Sequence, residues 1–435
     1  MTFTLRPFQE HGRDWLVERP RAILADQMGL GKTPQATAAC AAVGAEKIVV
    51  VAPPRTVGGW RRHFDLLYPC EFQVAKTPKD LRALLRPGLF DPAVAFVPWS
   101  RLSQKAWTTA KIDLNGVTLV MDEAHFAKEA RSTRSKSAWR LARSAERVMM
   151  LTATPLLSRP IEIQKALYHG CHAGDWAKRD AFGDRYCRQW NKWAPCGYDY
   201  LGAKNTDELA QRLAPYALRR EVADVAPDMP GVVAMEVPLD ISLPAELKKL
   251  EDDCAQWAAI AKATDDKVEL PYGITFGQYR RLVAEAKASA IAAWAAEQQE
   301  PVLIFGHHRA SLLGIAKKLN VPAVVGGTPD KTVAGAVESF QSGASQFLVA
   351  GIGVLGTGFD GLQHAANIVA FAEPAWVPGE MDQAVGRLRR IGSQSDVVRV
   401  YYLTAAGSSD AYIYNTLAQK SEVISEVLGA SVRID

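Results

Sequence analysis

Ala22-Ile23-Leu24-Ala25-Asp26-Gln27-Met28-Gly29-Leu30-Gly31-Lys32-Thr33 reads as a short buried strand, a glycine-bearing loop and the start of a helix. A phosphate-binding loop needs that order of elements. Glycines let backbone N–H groups curl around phosphate oxygens, and the helix that follows turns its positive dipole end toward them. Gly29, Leu30 and Gly31 are the expected cradle. Lys32 is placed to reach the β- and γ-phosphates of ATP, and the Thr33 hydroxyl to ligate Mg²⁺. Pro34 suits an early helical position, where its missing N–H is not needed. The strict pattern has a leading glycine, and Asp26 stands there instead. The competing reading is a glycine-rich turn with no ligand.

Outward from this loop, short Val- and Ile-rich runs alternate with longer amphipathic ones. The first half offers strands at Ala22–Leu24, Ile48–Ala52, Val94–Val97, Val117–Met121 and Val148–Leu151, with helices starting near Thr33, Gly59, Lys79 and Ser135. The second half offers Val302–Phe305, Ala323–Val325, Phe347–Ala350, Ile368–Phe371 and Val397–Leu403. Strands alternating with helices form mostly parallel sheets covered on both faces. The pattern occurs twice, and 435 residues exceed one ordinary core, so two α/β lobes are expected. We place them at 1–225 and 226–435. Helix-and-loop insertions are expected at about 156–217 and 243–299. Asp224 to Pro238, with Pro227 and Pro230, reads as the crossing between lobes.

Bulk properties narrow the class. No apolar run approaches the ~18 residues of a membrane span, and the N-terminus lacks a signal peptide's apolar stretch. Six cysteines without a C-x-x-C pair argue against a disulfide frame or zinc ribbon and fit a reducing cytoplasm. His169, Cys171, His172, Cys187 and Cys196 match no zinc spacing. A net charge of +4 tolerates a polyanion partner without requiring one.

Asp122-Glu123-Ala124-His125 directly follows the run Val117–Met121. A carboxylate pair at a strand end suits Mg²⁺, held by Asp122 through water, and a base, Glu123, that orients the attacking water. His125 is placed to couple this pair to Leu151-Thr152-Ala153-Thr154-Pro155, whose other reading is a simple hydroxyl turn. In the second half, Gln383, Arg387 and Arg390 fall on one face if a helix runs through them. Arginines chelate phosphate oxygens with paired donors, so Arg390 is the expected finger with Arg387 beside it. The loop Gly356-Thr357-Gly358-Phe359-Asp360 supplies Gly358 and Asp360 as further nucleotide contacts. Arg55, Arg61, Arg62 and Arg101 in the first lobe, and His308, Arg309 and Lys331 in the second, are candidate DNA-phosphate contacts. Each has a solvated surface charge as its alternative. Trp60, Trp176, Trp190, Trp193 and Trp376 read first as packing.

In this order the motifs resemble the superfamily-two (DEAD/DEAH-box) helicases of the Swi/Snf type. Leu5-Arg6-Pro7-Phe8-Gln9 resembles that family's adenine-reading segment, which makes Gln9 the reader. Asp26 to Thr33 is similar to its D-E-M-G-L-G-K-T, with Gln27 in place of Glu, so the leading Asp is normal there. Leu218-Arg219-Arg220, Asp224-Val225 and Pro230 resemble the segment leaving its first lobe. The runs Thr154-Pro155-Leu156-Leu157-Ser158-Arg159-Pro160, Phe182-Gly183-Asp184-Arg185-Tyr186-Cys187, Phe305-Gly306-His307-His308 and Phe371-Ala372-Glu373-Pro374-Ala375-Trp376-Val377-Pro378-Gly379 resemble the annealing-helicase, fork-remodelling branch. Gly392-Ser393-Gln394 departs from the family's G-Q, and Arg389 stands where the branch has His. The resemblance implies two RecA-like lobes with ATP in the cleft between them. It also implies a DNA-dependent ATPase that translocates on duplex or forked DNA. A strand-separating DNA or RNA helicase and a non-hydrolysing, ATP-switched clamp are the rival functions. A minimal motor of this size suits a bacterial or phage-infected cytoplasm, or a nucleus in a eukaryote. Protein partners are not legible.

Overall fold

The computed structural model describes residues 4–86, 92–129, 131–153, 159–192, 194, 196–241, 243, 245, 247, 275–355, 361–373, 378–390, 392–405, 408 and 410. Two compact units divide at Ala226 and Pro227, and each carries one parallel sheet.

The first unit has strands β1 (Arg21–Leu24), β2 (Lys47–Ala52), β3 (Glu71–Val74), β4 (Ala93–Pro98), β5 (Val117–Asp122), β6 (Arg147–Leu151) and β9 (Ala217–Leu218), in the order β3-β4-β2-β5-β6-β1-β9. Every residue of β2, β4 and β5 is buried, as a sheet covered on both faces demands. Side chains alternate between two cores. Val49 and Val51 of β2 join Leu119 and Met121 of β5 on one face. Ile48, Val50 and Ala52 pack on the other with Trp60, Phe64 and Phe96. Helices α1 (Pro7–Glu18), α2 (Lys32–Ala42) and α3 (Val57–Leu67) belong to this second core, through Leu16, Ala36, Ala39 and Trp60.

The segment between β6 and β9 holds short helices and one two-residue antiparallel ladder, β7 (Gln189–Trp190) with β8 (Tyr198–Asp199). Its helices, Arg179–Tyr186 and Thr206–Leu213, send Phe182, Tyr186, Leu209 and Leu213 into the β5–β6 core. Trp176 is packed against Phe182 and lies under Arg212, as expected of a packing residue. Trp190 is not: it sits on the ladder 79% exposed. Trp193 and Trp376 lie outside the described residues.

The second unit has β10 (Gly231–Leu239), β11 (Val302–Gly306), β12 (Ala323–Val324), β13 (Phe347–Gly351), β14 (Ile368–Phe371) and β15 (Val397–Ala405), in the order β10-β15-β14-β11-β13-β12. Most of the stretch expected as the crossing is therefore strand, paired in register with β15 from Gly231 opposite Val397 to Leu239 opposite Ala405. An edge position lets Pro238 belong to a strand, since its missing N–H need serve no neighbour on the open side. The expected insertion at 243–299 also reads differently where it is described. Helix Phe276–Ala296, opened by a Thr275/Gln278 capping box, puts Ala288, Ile291 and Ala295 into one core with Val302 and Ile304. It is part of the α/β layer. No described helix is long and apolar enough to cross a membrane.

Candidate active site

The carboxyl ends of β1, β5, β6 and β9, four neighbouring or near-neighbouring parallel strands, gather the motifs of the first unit. Ligands in open α/β sheets bind along that edge. The loop after β1 turns through Gly29 (φ 88°) and Gly31 (φ 75°), both in the left-handed region. Gly31 has no room for a side chain either: an added Cβ would lie 2.5 Å from Gln9 Nε2. That amide donates to Leu30 O at 3.1 Å, while Gln9 Oε1 accepts from Arg6 N at 3.0 Å. Gln9, read from the sequence as an adenine contact, is buried and ties α1 to the loop. Lys32 opens α2 and donates from Nζ to Asp26 O at 2.7 Å. Desolvation lowers its pKa against the pull of Glu123, Asp26 and Asp122. Thr33 follows in the first turn.

Asp26 is fully buried and grips Arg220, which follows β9. Arg220 donates from Nε to Asp26 Oδ1 at 2.9 Å and from Nη2 to Oδ2, and reaches Gln35 Oε1 at 2.8 Å and the Phe8 carbonyl. Gln35 Nε2 completes the ring on Asp26 Oδ2 at 3.1 Å. Gln27 Oε1, where the family carries a carboxylate, accepts from Val222 N at 2.8 Å. Sequence reading did not assign Arg220 a role. Its partner becomes visible only when β9 pairs with β1.

Asp122 ends β5 and Glu123 follows with φ 52°, a left-handed conformation uncommon outside glycine. Asp122 Oδ2 accepts from Trp60 Nε1 at 3.0 Å, and its main-chain oxygen accepts from Trp99 Nε1 at 2.7 Å. Burial first, and the charge of Glu123 second, raise the Asp122 pKa above the ordinary carboxylate range. His125 Nδ1 lies 3.3 Å from Glu123 Oε2 and 3.1 Å from Thr152 Oγ1, which joins the pair to the segment after β6. Burial first, then Lys128, bring the His125 pKa down to about 3, so the ring is neutral at physiological pH. Thr154 lies outside the described residues. The Asp122 carboxylate and Thr33 hydroxyl are hard oxygen donors, and the pair suits Mg²⁺, which keeps most of its shell for water and phosphate. Among the described residues no three His, Cys, Asp or Glu side chains gather as a metal cluster.

In the second unit the expected helix through Gln383, Arg387 and Arg390 stops early. Helix Pro378–Val385 ends, and Arg387 N and Leu388 N bond only three residues back, to Ala384 O and Val385 O. Gly386, a poor helix former, stands at that exit. Arg387 is buried and Arg390 half-buried, and both lie beyond the helix, in the turn that follows it. Arg389 Nε donates to Pro230 O at 3.0 Å, tying the turn to the start of β10. Gly358 and Asp360 lie outside the described residues. His308, expected on DNA phosphate, holds the buried Glu373 carboxylate with Nδ1, and Glu373 Oε1 accepts from His307 N at 3.0 Å and His308 N at 2.8 Å. Arg309 and Lys331 are exposed. Among the first unit's candidates, Arg61 bonds Phe72 O at 3.0 Å and covers its ring, Arg62 is exposed, and Arg55 and Arg101 are half-buried.

Two family models match. The SNF2-related domain covers residues 8–243, more than half the chain, and the helicase conserved C-terminal domain covers 285–392. The SWI/SNF-related matrix-associated actin-dependent regulator of chromatin subfamily A-like protein 1 of Bos taurus is 30% identical over 442 residues, 97% of this chain and 45% of the relative. The DNA annealing helicase and endonuclease of Mus musculus is 29% identical over 455 residues, 98% of this chain and 41% of the relative. The chain thus spans less than half the length of these relatives. The Sulfolobus solfataricus SWI2/SNF2 ATPase core in complex with dsDNA is similar over 99% of this chain and 94% of its own, with 20% identity and a TM-score of 0.43. The loop after β1 and the carboxylates after β5 fall within the first matched domain, and Arg387 and Arg390 within the second; the chain belongs to the SNF2-related family.

Proposed function

We propose that the chain is a DNA-dependent ATPase that moves on or remodels duplex or forked DNA. The observation that carries this reading is the convergence of Lys32, Asp122, Glu123 and Thr152 at one carboxyl edge of the first sheet. Gly29, Leu30 and Gly31 cradle phosphates with their N–H groups, and Lys32 leaves its loop carbonyls for phosphate oxygens. Thr33 and Asp122, the latter through water, hold Mg²⁺, which when bound neutralises the developing phosphate charge. Glu123 orients the attacking water, and neutral His125 carries the state of that pair to Thr152. Arg387 and Arg390 of the second unit stabilise the transferring phosphoryl. Gln9 holds the loop from α1, and it is the residue we assign to the adenine. Arg55, Arg62, Arg101, Arg309 and Lys331 give sequence-independent phosphate contact, which a motor stepping along any sequence requires. Annealing is the activity that one relative's name favours, and fork remodelling is what the branch resemblance of the sequence implies, in a bacterial, phage-infected or nuclear setting.

Steady-state ATP hydrolysis without nucleic acid, then with single-stranded, duplex and forked DNA and with RNA, tests this. Strong stimulation by duplex or forked DNA is expected. Stimulation by single strands or RNA alone would replace the reading with strand separation. ATP binding without turnover on any of them would leave a switched clamp.

A further inference from the structure

Asp122 is held by two indoles. Trp60 donates to its carboxylate and Trp99 to its main-chain oxygen, and both rings are buried. Burial alone does not force an indole to find such a partner. Trp107, equally buried in the same unit, has no hydrogen-bond acceptor for its Nε1. The origin of the two rings is informative. Trp60 sits in α3, immediately before Arg61 and Arg62 and five residues after Arg55 (60 against 55). Trp99 leaves β4 two residues before Arg101 (99 against 101). The two segments that carry every first-unit candidate for DNA phosphate are thus the two that hold the aspartate expected on Mg²⁺.

The connection is stiff. Trp60 packs on Phe64 (6.0 Å between ring centres), Phe64 on Phe72 (6.1 Å) and Phe72 on Phe96 of β4 (6.0 Å). Arg61 lies over the Phe72 ring from outside. Trp60 belongs to α3, so a displacement of that helix carries its N–H along, and the packed rings toward β3 and β4 leave little slack to absorb it, because close-packed interiors transmit strain. With one carboxylate oxygen bonded to that N–H, the carboxylate plane follows the indole.

We propose that Trp60 is a positioning residue that couples nucleic-acid contact on α3 to the orientation of the Asp122 carboxylate, with Trp99 anchoring the main chain beneath it. This rests on the reading of the chain as a DNA-stimulated ATPase. Its consequence is that the Mg²⁺ requirement for nucleotide binding responds to DNA through one indole N–H.

The test uses the full chain carrying Trp60→Phe, which keeps a ring and removes the donor, and Trp107→Phe as the matched packing control. Two quantities are read with and without duplex DNA. One is kcat and KM for ATP. The other is the Mg²⁺ concentration that half-saturates binding of a fluorescent, non-hydrolysable ATP analogue. In Trp60→Phe the ratio of stimulated to unstimulated kcat is expected to fall about tenfold, the scale of one hydrogen bond to a charged group. Its Mg²⁺ midpoint is expected to stop responding to DNA, whereas Trp107→Phe behaves as wild type. Trp60→His, which keeps a ring N–H, is the second variant and retains part of the response. Wild-type stimulation and Mg²⁺ response in Trp60→Phe would overturn the coupling, as would equal losses in Trp107→Phe. A wild-type chain that hydrolyses ATP at the same rate with and without every nucleic acid would overturn the DNA-stimulated reading on which the coupling rests.

Discussion

Arg220 closes on Asp26 across 194 residues of chain, with two guanidinium nitrogens on the two carboxylate oxygens. Both side chains are out of water, and Gln35 and the Phe8 carbonyl engage further groups of the pair. The loop after β1 is therefore fixed at once to α1, to α2 and to the strand that leaves the first unit.

Arg220→Ala is expected to cost about 3–5 kcal/mol, because it strands a buried carboxylate rather than merely removing a contact. Arg220→Lys keeps the charge but not the fork geometry and should fall between Ala and wild type. Urea unfolding followed by tryptophan fluorescence measures both. An Ala variant with a wild-type midpoint would show that Asp26 does not depend on this partner.

Lys32 and Arg390 are expected to fail in different ways. Lys32→Ala removes a phosphate contact made in the ground state, so nucleotide titration should show weakened binding. Arg390→Ala should leave binding intact and reduce DNA-stimulated turnover by about 10³–10⁵, the range seen when an arginine finger is lost. Wild-type turnover in Arg390→Ala would remove that residue from the phosphoryl-transfer step.

Gly31→Ala combines two penalties. Its φ of 75° is disfavoured for an L side chain, and the new Cβ would meet Gln9 Nε2. The Gln9–Leu30 bond is expected to break, and the variant should bind ATP more weakly at a cost of about 1–3 kcal/mol in stability. Equal nucleotide affinity in the variant would mean that the loop tolerates the shift.

Much of the first unit was legible because β2, β4 and β5 are buried on both faces and so spell continuous apolar runs. What escaped has physical causes. β9 has two residues, too few for any periodicity, so its pairing with β1 and the Arg220–Asp26 contact had no local signal. β10 is largely exposed at a sheet edge and contains Pro238, which in isolation reads as a breaker. The arginine spacing assumed a helix that stops at Val385. Trp60 was read as packing, and it does pack; its N–H serves Asp122 at the same time, which spacing cannot reveal. The candidate residues after β1 and at the end of β5 stand out in the sequence because each stretch directly follows a strand signal, and the structure places both at that strand end.

Glu373 gives the second unit an acid limit. Burial favours its neutral form, but the bonds from the His308 ring and from the His307 and His308 N–H groups outweigh it and hold the pKa at about 2, against an ordinary 4.5. A depressed carboxylate pKa contributes stability that is complete above the unfolded value and disappears as pH falls through the folded one. The window therefore runs from about pH 4.5 down to about pH 2. Roughly 2–3 kcal/mol is at stake, discounted from the full shift because the three bonds share one carboxylate. Glu373→Gln keeps an oxygen for the two N–H groups but loses the acceptor for the His308 ring and the charge at the N-terminus of helix Arg309–Lys318. It should be destabilised at neutral pH and show a flatter loss between pH 4.5 and 2. Urea midpoints across that range measure both. Parallel acid limbs in wild type and variant would place the titrating group elsewhere.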